Sequence, residues 1–278
     1  MMNRIFRIAA WLIPLFLQIA CIEVPEEPDF HNPYFPNDPH YVAPEVYITD
    51  GPGEGDVIQG DYLTFRFDGN EVVTEYSYDL DDWGWSPWRM ENMVSFELLD
   101  EGLHTFRVKG RTEAGIENDQ FISRSFRVDA IHGPALWFSP REQTVNSGEE
   151  FTVRLMAEEV SDLMGLRVPI SFDMSQLEMT EYKIFRYDNA FLRQNGGSVV
   201  ALVDTLYNAG VYVFNIAVID GEPEGVSGSG PIVELTFYAY SSQYTEIQFD
   251  TNCLYKDSYL NEYYFGYEQR YLAGVEVR

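Results

Sequence analysis

The sequence predicts an all-β protein made of two successive β-sandwiches. Three observations carry the prediction. Behind Pro44 nearly every periodic segment either alternates apolar and polar residues or is a short run of β-branched and aromatic residues closed by Gly, Asp or Asn. No stretch repeats its apolar residues at the 3.6-residue period of an amphipathic helix. The chain has 278 residues, 45% of them apolar and 15% aromatic, which suits two domains with real cores and excludes a disordered protein.

The elements follow in chain order. Arg4 and Arg7, an apolar run from Ile8 to Leu17 broken by Pro14, and Ala20 before Cys21 have the anatomy of a secretory signal over residues 1–20. The run is shorter than the roughly 20 apolar residues of a membrane span. LQIAC resembles a bacterial lipobox. That resemblance implies that Cys21 is lipidated and becomes the mature N-terminus, and Ile22 behind it favours the outer membrane or cell surface. With Cys21 acylated, only Cys253 remains, so no intrachain disulfide can form. In IQFDTNCLY, Cys253 reads as a small buried hydrophobe. Residues 21–44 hold six of the 14 prolines (Pro25, Pro28, Pro33, Pro36, Pro39 and Pro44) and read as an extended stalk, with His31 and His40 solvated in it.

From residue 45 to 130 the strand-like segments are EVYITDG, DYLTFRFDG, VTEYSYDL, MVSFELL, HTFRVKG and SRSFRVD. Short strands at this spacing predict a sandwich. In HTFRVKG, Phe106, Val108 and Gly110 are expected to face the core and Thr105, Arg107 and Lys109 the solvent. His104 is expected to be a structural residue near a turn. Tyr76, Tyr78, Asp79 and Leu80, then Trp83 and Trp88, then Leu99-Asp-Glu-Gly102-Leu-His-Thr-Phe106-Arg-Val108, resemble bacterial immunoglobulin-like or fibronectin-III-like modules found beside surface and sensor domains. The resemblance implies a fold, not a chemistry.

A second series fills residues 131–278. It runs ALWFSP, FTVRLMAEEV, LRVPISFD, SVVALVDTLY, GVYVFNIAVID, PIVELTFYAY, IQFDTNCL and GVEVR, with a hairpin around Asn208-Ala209-Gly210. GEEFTVRL from Gly148, the break before Gly165, ISFDMSQLE ending at Glu178 and the hairpin ending in Asp220 resemble a cohesin. So do Gly230-x-Ile232-Val233-x-Leu235-x-Phe237, Leu254 to Asp257, and Gly274-Val-Glu-Val277. The resemblance implies a nine-stranded jelly roll and non-catalytic protein recognition. Cohesins bind dockerins, small calcium-loaded helical modules attached to polysaccharide-degrading enzymes. Gly165 and Arg167 stand where well-studied members carry the Asn and Asp that bond the dockerin.

Alternation puts Leu166, Val168, Ile170 and Phe172 in the core. In GVYVFNIAVID, Tyr212, Phe214, Ile216 and Val218 share one side and Val211, Val213, Asn215 and Ala217 the other. Both sides are mainly apolar. The expected protein-binding face is Arg167, Pro169, Ser171, Val213 and Asn215, because contiguous exposed apolar area marks contact surfaces.

Composition narrows the function. Lys plus Arg number 18 against 45 Asp plus Glu, a net charge of −27. No nucleic-acid partner is expected for such a surface without a basic stripe, and membrane attachment is expected through the lipid alone. The four His, at 31, 40, 104 and 132, are scattered, and HExxH, GxSxG, CxxC and phosphate-loop motifs are missing. No enzyme activity and no cofactor are expected. The acidic DLDD at 79–82 lacks EF-hand spacing, so no metal is assigned. Trp83, Trp85 and Trp88 read as packing at a sandwich edge, as does the Tyr-rich tail containing Tyr264; stacking on sugar rings is the alternative. The expected function is a lipid-anchored cell-surface binding protein that docks a protein partner, with dockerin-bearing enzymes as the candidate and polysaccharide as the alternative ligand.

Overall fold

The structure is a computed structural model that describes residues 38–206 and 210–278. The signal segment, Cys21, most of the stalk and the Asn208–Ala209 tip lie outside the described residues. Among the described residues there is no α-helix, only 3₁₀ turns at Phe191–Arg193 and Tyr267–Gln269.

The first seven strands are β1 (Val46–Asp50), β2 (Val57–Ile58), β3 (Leu63–Gly69), β4 (Glu75–Leu80), β5 (Met93–Phe96), β6 (Gly102–Arg111) and β7 (Ile122–Val128). They form a three-stranded sheet, β1-β3-β5, and a four-stranded sheet, β2-β7-β6-β4. Strict alternation on β3 and β6 turns Phe65, Phe67, Phe106 and Val108 inward, where they are fully buried. Phe65 on one sheet stacks on Phe106 of the other with centroids 4.0 Å apart. Each such ring contributes about 1.5–3 kcal/mol by leaving water. Gly110 ends this inward row because a Cβ there would lie 2.5 Å from Val46 Cγ2. All six predicted strands are present; β2 is an addition.

The second half contains β8 (Ala135–Ser139), β9 (Glu142–Val145), β10 (Glu150–Leu163), β11 (Gly165–Phe172), β12 (Leu177–Ile184), β13 (Ser198–Leu206) and β14 (Val211–Ile219). It continues with β15 (Val226–Ala239), β16 (Tyr244–Phe249), β17 (Leu254–Lys256), β18 (Glu262–Tyr264), β19 (Arg270–Tyr271) and β20 (Ala273–Val277). One sheet runs β12-β15-β10-β8-β19. The other runs β13-β14-β11-β16-β20-β9, with the β17–β18 hairpin beside β11. From β10 to β16 the chain switches sheets at every connection except the β13–β14 hairpin, as in a jelly roll. Nine strands (β8, β10 to β16 and β20) make its frame, and β9, β17, β18 and β19 are short additions. Leu166, Val168, Ile170 and Phe172 fill the core as expected. Phe172 meets Phe237 of the opposite sheet edge-to-face at 5.0 Å.

Val46–Val128 and Leu136–Val277 supply separate hydrophobic cores, yet Ala43–Arg278 is one unit by its contacts. Carboxylates knit the two halves. Asp100 accepts from Ser139 Oγ at 2.6 Å and from the Arg141 amide at 2.8 Å, and Arg141 Nη1 donates to Asp61 at 2.6 Å. Glu101 accepts from the amides of Ala130 and Ile131.

Candidate binding face

The outer side of the larger second sheet is built by register. Leu202 of β13, Asn215 of β14, Arg167 of β11 and Leu254 of β17 are consecutive partners across four strands, and Val200, Ala217, Gly165 and Lys256 form the next row. Partners directly opposite on one face stand close enough for their side chains to interact. Arg167 Nη1 donates to Asn215 Oδ1 at 3.2 Å, and Asn215 Nδ2 donates to Asp204 at 3.2 Å. This polar chain crosses an apolar field in which Leu202 is 63% and Val200 51% exposed. The two rows line an open hollow of about 490 Å³, with the Lys256–Glu262 ion pair (3.0 Å) at its rim. Gly165 leaves the floor low, since it carries no side chain where its neighbours do.

The expected face is corrected in part. Arg167 is exposed as expected, whereas Asn215 and Ser171 are half-buried rather than open. Pro169 is buried, and Val213 is only 4% exposed although it lies outside the core. Val213 sits in a central strand between its register partners Asp204 and Pro169. Alternation fixes the side a residue faces, but a short side chain hemmed in on both sides loses water without entering the core. The usable surface therefore lies toward Val200, Leu202 and Leu254. Reading β11 and β14 alone missed these residues; the alternation of SVVALVDTLY is the signal that finds Val200 and Leu202.

No family model matches the chain, and no curated protein matches it. Solved cohesins are similar to it. A type II cohesin from the cellulosome of Acetivibrio cellulolyticus is 14% identical, with 50% of this chain and 94% of that one covered and a TM-score of 0.41. A type I cohesin from a cohesin–dockerin complex of Clostridium thermocellum is 12% identical over 52% and 98%, with a TM-score of 0.39. A non-cellulosomal cohesin from the archaeon Archaeoglobus fulgidus is 13% identical over 52% and 90%, with a TM-score of 0.37. The fold stated above stands on strand order and register.

The other candidate residues do not converge on one platform. The segment after β4 folds over the outer face of its own sheet, where Ser77 Oγ donates to the Ser86 carbonyl at 2.7 Å and the Gly84 amide to Asp79 at 2.8 Å. This places Trp85 and Trp88 on the cations of β6. Lys109 Nζ lies 4.7 Å from the Trp85 ring and 5.0 Å from that of Trp88, and the Arg111 guanidinium 4.5 Å from Trp88. Neither ring enters the core cluster, so the edge-packing expectation holds only as packing on cations, and Arg107 and Lys109 are half-covered rather than solvated. Trp83 points elsewhere, into a hollow beside β9 and β20. Tyr264 lies on β18, exposed, with its hydroxyl donating to Glu262. In the DLDD segment Asp79 and Asp82 pair with Arg107, and Asp81 with His104 at 2.6 Å.

His104 is buried. Its Nε2 donates to the Asp100 carbonyl at 2.7 Å while Nδ1 meets the Asp81 carboxylate, a pattern that only the imidazolium satisfies from both nitrogens. Burial opposes that charge, but the bonds to Asp81 and Asp100 and their negative field outweigh it, and the pKa is raised. Cys253 is fully buried, and burial pushes its thiol up to about 11.

Proposed function

We propose that this chain is an exported, lipid-anchored binding protein without catalysis, whose second sandwich docks a protein partner on the outer face of β13, β14 and β11. One observation carries the reading: a shallow apolar hollow crossed by the Arg167–Asn215–Asp204 chain, on a rigid sheet, with Leu202 and Val200 standing out of it. Apolar contact at the centre with a few orienting polar groups is the make-up of a recognition surface. The lipobox-like LQIAC and the proline-rich segment behind it support outer-membrane or cell-surface presentation on a stalk. The partner class that fits the cohesin resemblance is a dockerin, the kind of partner with which one of the compared cohesins forms its complex. Gly165 and Arg167 in place of Asn and Asp, the second a cation where the family carries an anion, point to a dockerin with an acidic contact.

The test is retention of a panel of calcium-loaded dockerins on the immobilised chain. Leu202→Asp and Gly165→Leu should each weaken retention at least about tenfold, because a single anchor in such a patch carries upward of 1 kcal/mol. The Gly165 position tolerates a side chain, its nearest neighbours standing 3.8 Å from a built Cβ. Equal retention by both variants would remove the face; no retained dockerin would remove that partner class.

A further inference from the structure

Trp83 is 69% exposed, yet its backbone is held in a defined turn. Its amide donates to the Leu80 carbonyl at 3.0 Å, and the preceding Asp81 and Asp82 take left-handed conformations, φ 53° and 61°, in the turn that leaves β4. Asp tolerates that region better than most residues but does not favour it. The ring stands with Pro140 between two hollows. Glu142 and Glu276 line one of them, about 630 Å³ in volume; Asp81, Asp82 and Glu101 line the other. No Lys or Arg lines either, and the one basic group there, His104, is held by Asp81.

The same chain shows what two neighbouring indoles, the exposed Trp85 and the half-buried Trp88, do. Trp85 and Trp88 each lie against a Lys or Arg, and each of those cations has a carboxylate behind it: Lys109 with Glu117 at 2.8 Å, Arg111 with Glu75 at 2.6 Å. Trp83 has the carboxylates and, among the described residues, no cation over its ring. Glu276 is only loosely engaged, by Arg278 at 3.6 Å on the exposed last residue, and Glu142 accepts from the neutral Tyr244 hydroxyl, which leaves its charge to a ligand. A ring quadrupole flanked by anions attracts a cation, and a net charge of −27 steers such a ligand in.

We propose that the Trp83 groove is a second binding site, one that takes a lysine or arginine side chain of an extended basic segment of a partner protein, with Glu142 and Glu276 as its counter-ions. The groove draws Trp83 from the first half and its carboxylates from β9 and β20 of the second, so occupancy also bridges the two sandwiches. It is separate from the β13–β14–β11 face, and either site can fail without the other.

The test uses the full chain and follows the indole N–H resonance of Trp83, assigned by its loss in Trp83→Phe, at about 0.15 M salt to suppress long-range attraction. The probes are the capped peptides Gly-Arg-Gly-Arg-Gly and Gly-Gln-Gly-Gln-Gly, and neutral cello- and xylo-oligosaccharides. The arginine peptide should move the Trp83 resonance saturably and leave those of Trp85 and Trp88 in place. Glu142→Gln with Glu276→Gln should weaken it about tenfold, as expected for charge-assisted contacts. The two Gln side chains are near-isosteric, and unchanged Trp85 and Trp88 resonances certify the fold. A response to the oligosaccharides but not the arginine peptide overturns the proposal in favour of a glycan subsite. So does an equal response to both peptides, an equal response of the double variant, or no response.

Discussion

At the scale of single residues, the physical chemistry is set by what a side chain loses on burial and what it regains. His104 loses water but is met by a carboxylate and a carbonyl, and its folded pKa is raised above the unfolded one. A raised pKa contributes stability that is full below the unfolded value and is lost as pH climbs through the folded value. Asp100, raised by burial, has the same sign at lower pH. Urea midpoints should therefore fall as pH rises through the histidine range, and the difference between wild type and His104→Gln should shrink over that interval. A midpoint that rises instead contradicts the assignment. Cys253 lost more to burial than the neighbouring Arg270 guanidinium restores; with its pKa near 11 it should react with a soluble thiol reagent only as fast as the native chain opens, and within seconds in denaturant. Gly110→Val, by contrast, meets Val46 and Val73 within 3 Å and should destabilise by about 1–3 kcal/mol in equilibrium unfolding.

At the scale of elements, legibility followed length. Strands such as β3 and β6 declare themselves because seven or more residues alternate, and β11 and β14 because their largely apolar runs are eight and nine residues long; Phe65, Phe106, Ile170 and Phe214 lie in the cores. β2, β18 and β19 hold two or three residues each and exist because a neighbour offers an open ladder, β7 for β2 and β8 for β19. Two residues have no period to read. The binding face was half legible for a related reason. The side on which Val213 and Pro169 lie is local information, but their depth depends on β13 and β11 meeting β14 in one particular register. The Trp85–Trp88 segment is the same case: the cations beneath it come from β6, some 20 residues later in the chain. Because β13 forms the sheet edge without a bulge in its pairing to β14, Leu202→Asp should cost under about 0.5 kcal/mol in stability, as expected of an exposed position. Thermal melting checks that the loss of partner retention is not a loss of fold.

At the scale of the whole molecule, two cores share one junction made of carboxylates. Asp100 and Glu101 together satisfy Ser139, Arg141, Ala130 and Ile131. Removing both leaves partly buried donors unmet, at about 1–3 kcal/mol each. Asp100→Ala with Glu101→Ala should split thermal unfolding of the chain into two calorimetric transitions; a single transition of unchanged width would mean that the cores are coupled by other contacts. The sequence places a boundary near Ile131–Pro134 from its change of series, but the junction itself joins Asp61 and Asp100 to Ser139 and Arg141, and no local pattern announces pairs so far apart.

The last strand, β20, lies parallel to β9, with Gly274 to Val277 paired in order against Glu142 to Val145. Tension applied between the first half and the C-terminus would drag these two strands lengthwise past each other. Every rung of that short ladder then takes load together instead of opening one at a time. A chain pulled from both ends in this way yields by sliding rather than by unzipping, so the segment that closes the jelly roll is also where it resists being stretched.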